Sequence, residues 1–312
     1  MTAAAPAPIT AYANLTITLP CGRVVLVDPL DGTAQKRLTP NPDGKIPDPQ
    51  GAVTDVLARC VKQVDGKRYD PKRMRDEMMR LPAGSRMRAF SAARMLTYSS
   101  ECRVEWKCRA EGDDDKPCNT ENSVLKHLDE MPDTRYSADF LAHGLTVALA
   151  SRTGATYEVK LVVDTGATGA AFSAALTRGD VSVLDAPLAQ VAEIDGAAVK
   201  ITDVLTRLPG DVLDAVRSLV NAMEPRVFAT DAARDAWVRK INDLCRSLGL
   251  PVPDEEEPVE GEELTAPTLW LPSGGMAMRL QMPCATCGKP TWVSLGSQAD
   301  FLFRHLRAVM DE

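Results

Sequence analysis

Apolar and polar residues alternate near the start of the chain. Residues 15–19 alternate, and a Pro-Cys-Gly turn then leads into the mostly apolar segment 23–27, which predicts a β-hairpin. Apolar residues then recur at helical spacing over Val53–Val64. A second helix is predicted from Asp70, because Pro71 suits the first turn of a helix, and a third helix is predicted over 84–98.

The middle of the chain follows a similar order. Tyr157–Val163 has the pattern of a strand. Helical spacing follows near 170–178 and 186–194, and again over 201–207 and 211–223. A hairpin strand followed by several short helices is therefore predicted twice.

Two stretches of sequence favour an internal duplication. Leu57–Gly66 parallels Leu188–Gly196, and Arg80–Gly84 parallels Arg207–Asp211. An amphipathic helix is predicted after the second stretch in both halves. We predict a duplicated unit; the alternative is two unrelated helical segments that use the same turn residues.

Composition limits the classes of protein to consider. The 312 residues are 45% hydrophobic and 25% charged, which suits two globular domains. A net charge of −7 leaves no broad basic surface for phosphates and argues against nucleic acid as a partner. No run of about 18 apolar residues occurs, so we expect no transmembrane helix. Met1–Pro8 lacks the pattern of a signal peptide, so we expect the eight cysteines to be reduced thiols.

Spacing of the cysteines is the strongest chemical signal. Cys284-Ala-Thr-Cys287-Gly lies between two predicted strands and has the pattern of a zinc knuckle. A knuckle supplies two thiolates, whereas a structural Zn²⁺ is held by four ligands. The remaining candidates are Cys102, Cys108 and Cys118, far earlier in the chain.

Strand geometry selects between those three cysteines. Residues 103–107 are predicted to form a strand, so Cys102 and Cys108 would lie about 20 Å apart along it. The polar loop between Cys108 and Cys118 can instead fold back and bring these two sulfurs together. The predicted ligands of one structural Zn²⁺ are therefore Cys108, Cys118, Cys284 and Cys287.

The sequence leaves alternatives to this ligand set. Cys102 or His127 could take the place of Cys118, or the knuckle could hold no metal. Three further cysteines have no metal-site spacing and are expected to be buried free thiols. They are Cys21, Cys60 and Cys245.

A second motif suggests different chemistry. The apolar strand near 160 ends in Asp164-Thr165-Gly166-Ala167, which resembles the catalytic loop of retropepsin-like aspartic proteases. In those enzymes two such carboxylates share a proton. Asp164 would then be the catalytic residue, and a homodimer would supply its partner. The alternative is a strand-to-helix turn in which Asp164 or Thr165 caps the helix.

The order of parts adds a further comparison. A hairpin turn at Leu19–Gly22 is followed by the Leu81-Pro82 turn, by the strand Arg103–Lys107 that enters Cys108, and at the C-terminal end by Phe301–Phe303. This order resembles the baseplate hub and assembly proteins of contractile-tailed phages. It is also similar to their relatives in phage-like contractile injection systems.

The resemblance implies a structural or assembly protein and not an enzyme. Its partners would be other baseplate, hub and tail-tube proteins, with no membrane span, nucleic acid unlikely, and a homo-oligomer as one option. Its location would be the virion tail baseplate, assembled in the host cytoplasm. Carried over by position, the four predicted zinc ligands would be the metal-binding cysteines of such proteins. A zinc-ribbon nucleic-acid adaptor is the other alternative, which the net charge disfavours.

Together these patterns predict an α+β fold. It would contain two related helical units with short β-hairpins, joined by a C-terminal zinc-ribbon-like element. The predicted divisions are a flexible tail over 1–13, a first unit with the cysteine loop over 14–135, a second unit over 136–250, an acidic linker over 251–265, and a zinc-ribbon half with a C-terminal helix over 266–312.

Overall fold

The computed structural model of the chain describes residues 14–38, 49–110, 118–250, 252 and 274–295. The predicted flexible tail, most of the acidic linker and the C-terminal helix lie outside the described residues. Helices and small sheets alternate along the described chain, so the fold is mixed α and β.

A sheet and four helices make up the first module, which we define as residues 15–97. Its three strands form one antiparallel sheet in the order β1-β2-β3. In chain order the elements are β1 (Leu15–Thr18), β2 (Val24–Val27), α1 (Gly32–Leu38), α2 (Pro49–Cys60), β3 (Val61–Val64), α3 (Pro71–Arg80) and α4 (Ala83–Thr97). Pro71 opens α3, as predicted, and the Asp70 side chain caps this helix by accepting a hydrogen bond from the Arg73 amide.

A long hairpin and short elements connect this module to the next. The hairpin pairs two seven-residue strands in register, with Glu101 opposite His127 and Lys107 opposite Glu121. The connecting elements are β4 (Glu101–Lys107), β5 (Glu121–His127), β6 (Asp133–Thr134) and α5 (Ala138–His143).

The second module, residues 145–223, has a similar order of elements, with a 3₁₀ helix in place of the second helix and one added short strand before its last two helices. Its strands form a four-stranded antiparallel sheet in the order β10-β9-β8-β7. The elements are β7 (Leu145–Ala150), β8 (Thr156–Leu161), α6 (Gly166–Arg178), a 3₁₀ helix (Val183–Gln190), β9 (Val191–Ile194), β10 (Ala197–Ala198), α7 (Ile201–Arg207) and α8 (Gly210–Met223).

Strands replace the ends of two predicted helices. Residues 61–64 form β3 and residues 191–194 form β9, although the apolar spacing predicts a helix for both segments. An Asp-Gly pair follows each strand, and its Asp and Gly both have positive φ. That backbone makes a tight hairpin turn, so the preceding residues pair with a neighbouring strand. Apolar residues three apart, which suggested a helix, sit at the buried ends of a short strand instead.

Both sheets contain the same irregularity. The register of β2 against β3 shifts between Leu26 and Val27. The register of β8 against β9 shifts at the corresponding place, between Lys160 and Leu161. A β-bulge inserts one residue at a particular place in one strand. Because the two sheets have the bulge at corresponding places, it makes them similar in detail.

The turns after β3 and β9 also match atom by atom. The Asp65 carboxylate accepts from the Val24 amide at 2.9 Å, and the Asp65 amide donates to the Val24 carbonyl at 2.7 Å. The Asp195 carboxylate accepts from the Glu158 amide at 2.9 Å, and the Asp195 amide donates to the Glu158 carbonyl at 2.8 Å. Each Asp thus ties its turn to the middle strand.

The start of α6 fixes the second module onto the first. The Ala83 amide donates to the Asp164 carbonyl at 2.7 Å, and the Gly166 amide reaches the Leu81 carbonyl at 3.4 Å. From there α6 packs along α2 and α3 of the first module. The contact is therefore a short strand-like bridge followed by helix packing.

The C-terminal described segment returns to the first module. Its elements are β11 (Arg226–Val227), α9 (Asp231–Ser247), β12 (Gly275–Met276), β13 (Arg279–Pro283) and β14 (Pro290–Ser294). β12 pairs with β6, and β13 lies between β11 and β14. Leu280, Val293 and Leu295 belong to the hydrophobic core of the first module, whereas α9 packs on the core of the second. Among the described residues no helix has both the length and the apolar character needed to cross a membrane.

Candidate metal centre

The end of the β4–β5 hairpin positions two cysteines. The Cys108 amide donates to the Thr120 carbonyl at 2.9 Å, and the Asn119 amide donates back to the Cys108 carbonyl at 3.0 Å. The Cys118 amide then donates to the Ala110 carbonyl at 2.8 Å. Ladder bonds therefore continue past the strands and hold Cys108 and Cys118 at the same end of the hairpin.

The turn between β13 and β14 positions the other two cysteines. The Cys284 amide donates to the Lys289 carbonyl at 3.1 Å, and the Gly288 amide donates to the Cys284 carbonyl at 2.9 Å. Gly288 has a φ of 66°, a left-handed conformation that glycine adopts without strain. This tight turn places Cys284 and Cys287 side by side, as expected for a knuckle.

The four sulfurs meet at one point. Cys108 Sγ lies 3.7 Å from Cys287 Sγ, and Cys118 Sγ lies 3.8 Å from Cys284 Sγ. All four Sγ atoms lie within 4.8 Å of one another. Tetrahedral Zn²⁺ with Zn–S bonds of about 2.3 Å requires sulfurs about 3.8 Å apart. The spacing therefore fits a metal ion at the centre of the four cysteines.

The two alternative ligands lie at the far end of the hairpin. Cys102 is opposite Lys126 in the ladder, and His127 is opposite Glu101, six pairs away from the Lys107–Glu121 pair. A strand of that length spans about 20 Å. Neither residue belongs to the cysteine cluster, so the choice of Cys118 over Cys102 and His127 agrees with the observed arrangement.

Asn122 supports the cluster, although no sequence pattern predicted it. Its side-chain amide donates toward Cys284 Sγ at 3.6 Å and to the Thr120 carbonyl at 2.9 Å, while its carbonyl accepts from the Ala285 amide at 2.9 Å. It therefore joins the hairpin to the knuckle directly. No sequence signal marks this role, because an Asn on a strand is ordinary until the partner segment is placed beside it.

Polar groups around the sulfurs change their acidity. Hydrogen bonds from the backbone amides of Cys287 and Thr286, with help from Asn122, lower the pKa of Cys284 to about 6. The Thr120 hydroxyl, 3.1 Å from Cys118 Sγ, lowers the pKa of Cys118. The Lys289 amide acts in the same direction on Cys287, but burial and the neighbouring thiols together raise its pKa to about 11. The cluster therefore favours negative charge on some sulfurs, the form that binds metal.

Asp164 takes part in a helix cap. The Thr165 hydroxyl accepts from the Thr168 amide at 3.3 Å, and the Thr168 hydroxyl donates to the Asp164 carboxylate. Burial raises the pKa of Asp164, although Thr168 and the nearby Arg86 act in the opposite direction. These contacts are those expected of the strand-to-helix turn that was the alternative to the protease motif.

The other cysteines stand apart from the cluster. Cys60 and Cys245 are buried among apolar side chains, and Cys21 is half-buried. Burial raises the pKa of both buried thiols, so they remain protonated and behave as small apolar residues.

No protein-family model, curated protein or solved structure matches this chain. The baseplate resemblance therefore rests on the sequence alone, and the cysteine cluster is the feature from which a function can be argued.

Proposed function

We propose that this chain is a non-enzymatic structural or assembly protein whose fold is closed by one structural Zn²⁺. The observation that carries the proposal is the cluster of four sulfurs contributed by two segments more than 160 residues apart. Four cysteines fill a tetrahedral site and leave no position for a substrate or a reactive water. Such a site supports a structural role rather than catalysis.

The proposed metal would act as a clamp. One pair of ligands lies on the loop after β4, and the other lies on the turn after β13. Because unfolded chains lack a preformed site, the free energy of metal binding would contribute directly to folding. Zn²⁺ would thereby hold the C-terminal ribbon against the hairpin and stabilise the long return of the chain to the first module.

We further propose that the two modules arose by duplication. The shared bulge, the shared Asp-Gly turn and the shared order of elements support this. Two related helical units joined by a zinc-ribbon-like element would then describe the chain, as the sequence analysis predicted. Two modules whose described residues contain no catalytic constellation suit a protein that presents surfaces to partners.

The setting that we propose is the baseplate hub of a contractile phage tail or a phage-like injection system. The supporting observation is the order of sequence features shared with those assembly proteins. The partners would be other baseplate and tail-tube proteins, and the place of action would be the virion tail baseplate after assembly in the host cytoplasm.

Metal content tests the structural part of this proposal. Protein purified without added chelator should contain one zinc per chain by elemental analysis, and Cys284→Ser should lose the metal. Cys21→Ser is the matched control, because Cys21 lies outside the cluster. The clamp would be refuted if the wild-type protein contained no zinc on purification and if added zinc did not change its stability. Iron in place of zinc, which four thiolates also bind, would keep the clamp and correct the metal.

Assembly needs its own experiment. The wild-type chain should co-purify with the products of neighbouring tail genes when these are expressed together, and Cys284→Ser should not. A zinc-bound chain that captures none of these products would refute the baseplate role and leave the metal clamp intact.

A further inference from the structure

A cavity of about 160 Å³ lies where the two modules meet, and it is partly open to solvent. Its wall is formed by α4 of the first module, by residues of the second module, and by the connecting and C-terminal segments. An apolar cavity of about 150 Å³ in a protein is large enough to bind benzene. This cavity therefore has room for an organic molecule of about that size.

The side chains of the wall favour an organic ligand. Four methionines and two aromatic residues contribute to it: Met87, Met223, Met276, Met278, Tyr136 and Phe140. Thioethers and aromatic rings pack well against apolar groups, and the rings also attract organic cations. Methionine sulfurs and ring carbons do not suit Ca²⁺ or Mg²⁺, which take oxygen ligands. A small organic molecule thus fits this wall better than a hard metal ion does.

The Asp164 carboxylate lies beside the same cavity. Asp164 and Tyr136 are both lining residues. Burial raises the pKa of Tyr136, the Gly84 amide lowers it by donating to the hydroxyl, and the nearby charge of Asp164 raises it further. The carboxylate of Asp164 is therefore close to the Tyr136 hydroxyl, within a largely apolar wall.

One oxygen of this carboxylate has a partner and the other does not. The Thr168 hydroxyl donates to Asp164 Oδ1. Among the described residues no group donates to Asp164 Oδ2, and no basic side chain lies within 4 Å of either oxygen. Arg86 acts on Asp164 only from farther away, because its Nη2 donates to Thr54 at 2.6 Å. A largely buried carboxylate is normally paired with a cation, so Oδ2 has an unfilled position for a donor.

The second carboxylate of the wall is already paired. Glu224 Oε2 lies 2.7 Å from Arg279 Nε and 3.8 Å from Arg226 Nη2. The charge of Glu224 is therefore balanced by the protein itself. Of the two carboxylates, Asp164 is the one that remains for a ligand.

We propose that this cavity binds a small primary amine, with the ammonium group on Asp164 and the apolar part against the methionines. A charged N–H donor on a carboxylate makes a strong hydrogen bond, and the wall excludes water from it. Because both modules contribute to the wall, a bound amine would stabilise their junction. The proposal adds a ligand site to the chain and depends neither on the metal nor on the baseplate role.

Methionine-methyl NMR of the full chain tests this. With ¹³C-labelled methionine methyl groups, n-butylamine and benzylamine should shift the signals of the four cavity methionines, with a Kd of about 1 mM or below. The signal of Met74 on α3, outside the cavity, should not shift. n-Butanol and benzyl alcohol have similar shapes but no charge, so they should bind at least about tenfold more weakly.

Asp164→Asn tests the anchor. Asparagine keeps an oxygen that can accept from Thr168 but removes the charge, so amine binding should weaken at least about tenfold while alcohol binding stays unchanged. Asp214→Asn is the matched control, since this exposed carboxylate of α8 lies outside the cavity and should not affect binding.

Three results would overturn the proposal. One is the absence of any shift of the cavity methionines at about 10 mM of either amine. Another is equal affinity for the amines and the alcohols. The third is unchanged amine affinity in Asp164→Asn, whose folding is checked by circular dichroism. If that variant does not fold, the comparison of amines with alcohols on the wild-type chain still decides.

Discussion

The Sγ atoms of Cys118 and Cys284 lie 3.8 Å apart, although 166 residues separate the two cysteines in the sequence. Closing a loop of that length costs conformational entropy, and this cost grows with the logarithm of the loop length. Burial of the ribbon in the first core offsets part of this cost, and a bound metal would offset more. The cluster is therefore the place where small changes around the sulfurs should have measurable effects.

Asn122 is the first such place. Asn122→Ala should weaken zinc affinity roughly 10- to 100-fold, because the change removes a donor to Cys284 and leaves the Ala285 amide without its acceptor. Competition with a chromophoric chelator measures the affinity. Glu121→Ala, at the exposed neighbouring position of β5, should leave the affinity unchanged. Equal affinities in Asn122→Ala and the wild type would show that the ligands alone determine binding.

Arg226 lies away from the sulfurs, at the junction between the ribbon, α9 and the second module. Its guanidinium carbon lies 4.2 Å from the ring centre of Trp237 on α9 and 5.2 Å from that of Trp292 on β14. Its Nη2 also donates to the Asn221 carbonyl at 2.6 Å. One buried cation thus joins the second module, α9 and the ribbon.

Replacing this guanidinium should loosen the junction. Lysine keeps the charge but cannot stack as a plane, so Arg226→Lys should lower the free energy of unfolding by about 1–2 kcal/mol. Urea denaturation measures the difference. Arg246→Lys is the control, because Arg246 is an exposed residue of α9 paired with Asp243. The stacking interpretation fails if both variants are equally stable.

Local sequence signals predicted local structure well and tertiary structure in part. The start of α3 at Pro71 and the turn of the knuckle depend on neighbouring residues, so the local pattern was sufficient to predict them. The prediction of a helix over Val61–Val64 is wrong, because apolar spacing along the chain cannot show that β2 lies beside this segment. Cys118 lies beside Cys108, Cys284 and Cys287, whereas strand length keeps Cys102 at the far end of the hairpin. No sequence pattern indicates that Arg226 stacks on Trp237 and Trp292, because these residues lie in segments that meet only after folding.

The Asp-Gly turns offer a test of the backbone argument. Gly196 has a φ of 74° and open space around its Cβ position. Gly196→Ala should therefore cost about 1–2 kcal/mol of unfolding free energy through backbone strain alone. Gly66→Ala, at the equivalent turn with a φ of 75°, should cost a similar amount.

Gly210→Ala is the matched control for these turns. It has the same open surroundings but lies in the first turn of α8 without a positive φ. Alanine there should be neutral or stabilising by up to about 1 kcal/mol. Thermal melts at a protein concentration that keeps the chain monomeric would separate the three variants. A neutral Gly196→Ala would contradict the left-handed turn.

Two carboxylates of the second module should give stability profiles of opposite sign. Burial raises the pKa of Asp185, but the Ser182 amide and the Arg217 guanidinium outweigh it and hold the pKa below the usual 3.8. Ionised Asp185 therefore stabilises the fold at pH values above 3.8. This contribution is lost as the pH falls through the lowered pKa. Asp164 has a raised pKa in the folded protein. Its ionisation therefore lowers the free energy of unfolding progressively as the pH rises from 3.8 towards that raised pKa.

Urea denaturation between about pH 3 and pH 7 checks both signs against variants that cannot titrate. The wild type should lose its advantage over Asp185→Asn as the pH is lowered. Relative to Asp164→Asn, it should instead become less stable as the pH is raised above 3.8 and then level off. The difference between the two profiles removes every titration that they share. If the stabilities of the wild type and Asp164→Asn change with pH in parallel, Arg86 and Thr168 compensate fully for the burial of Asp164. The pKa of Asp164 would then lie in the usual range of a carboxyl group.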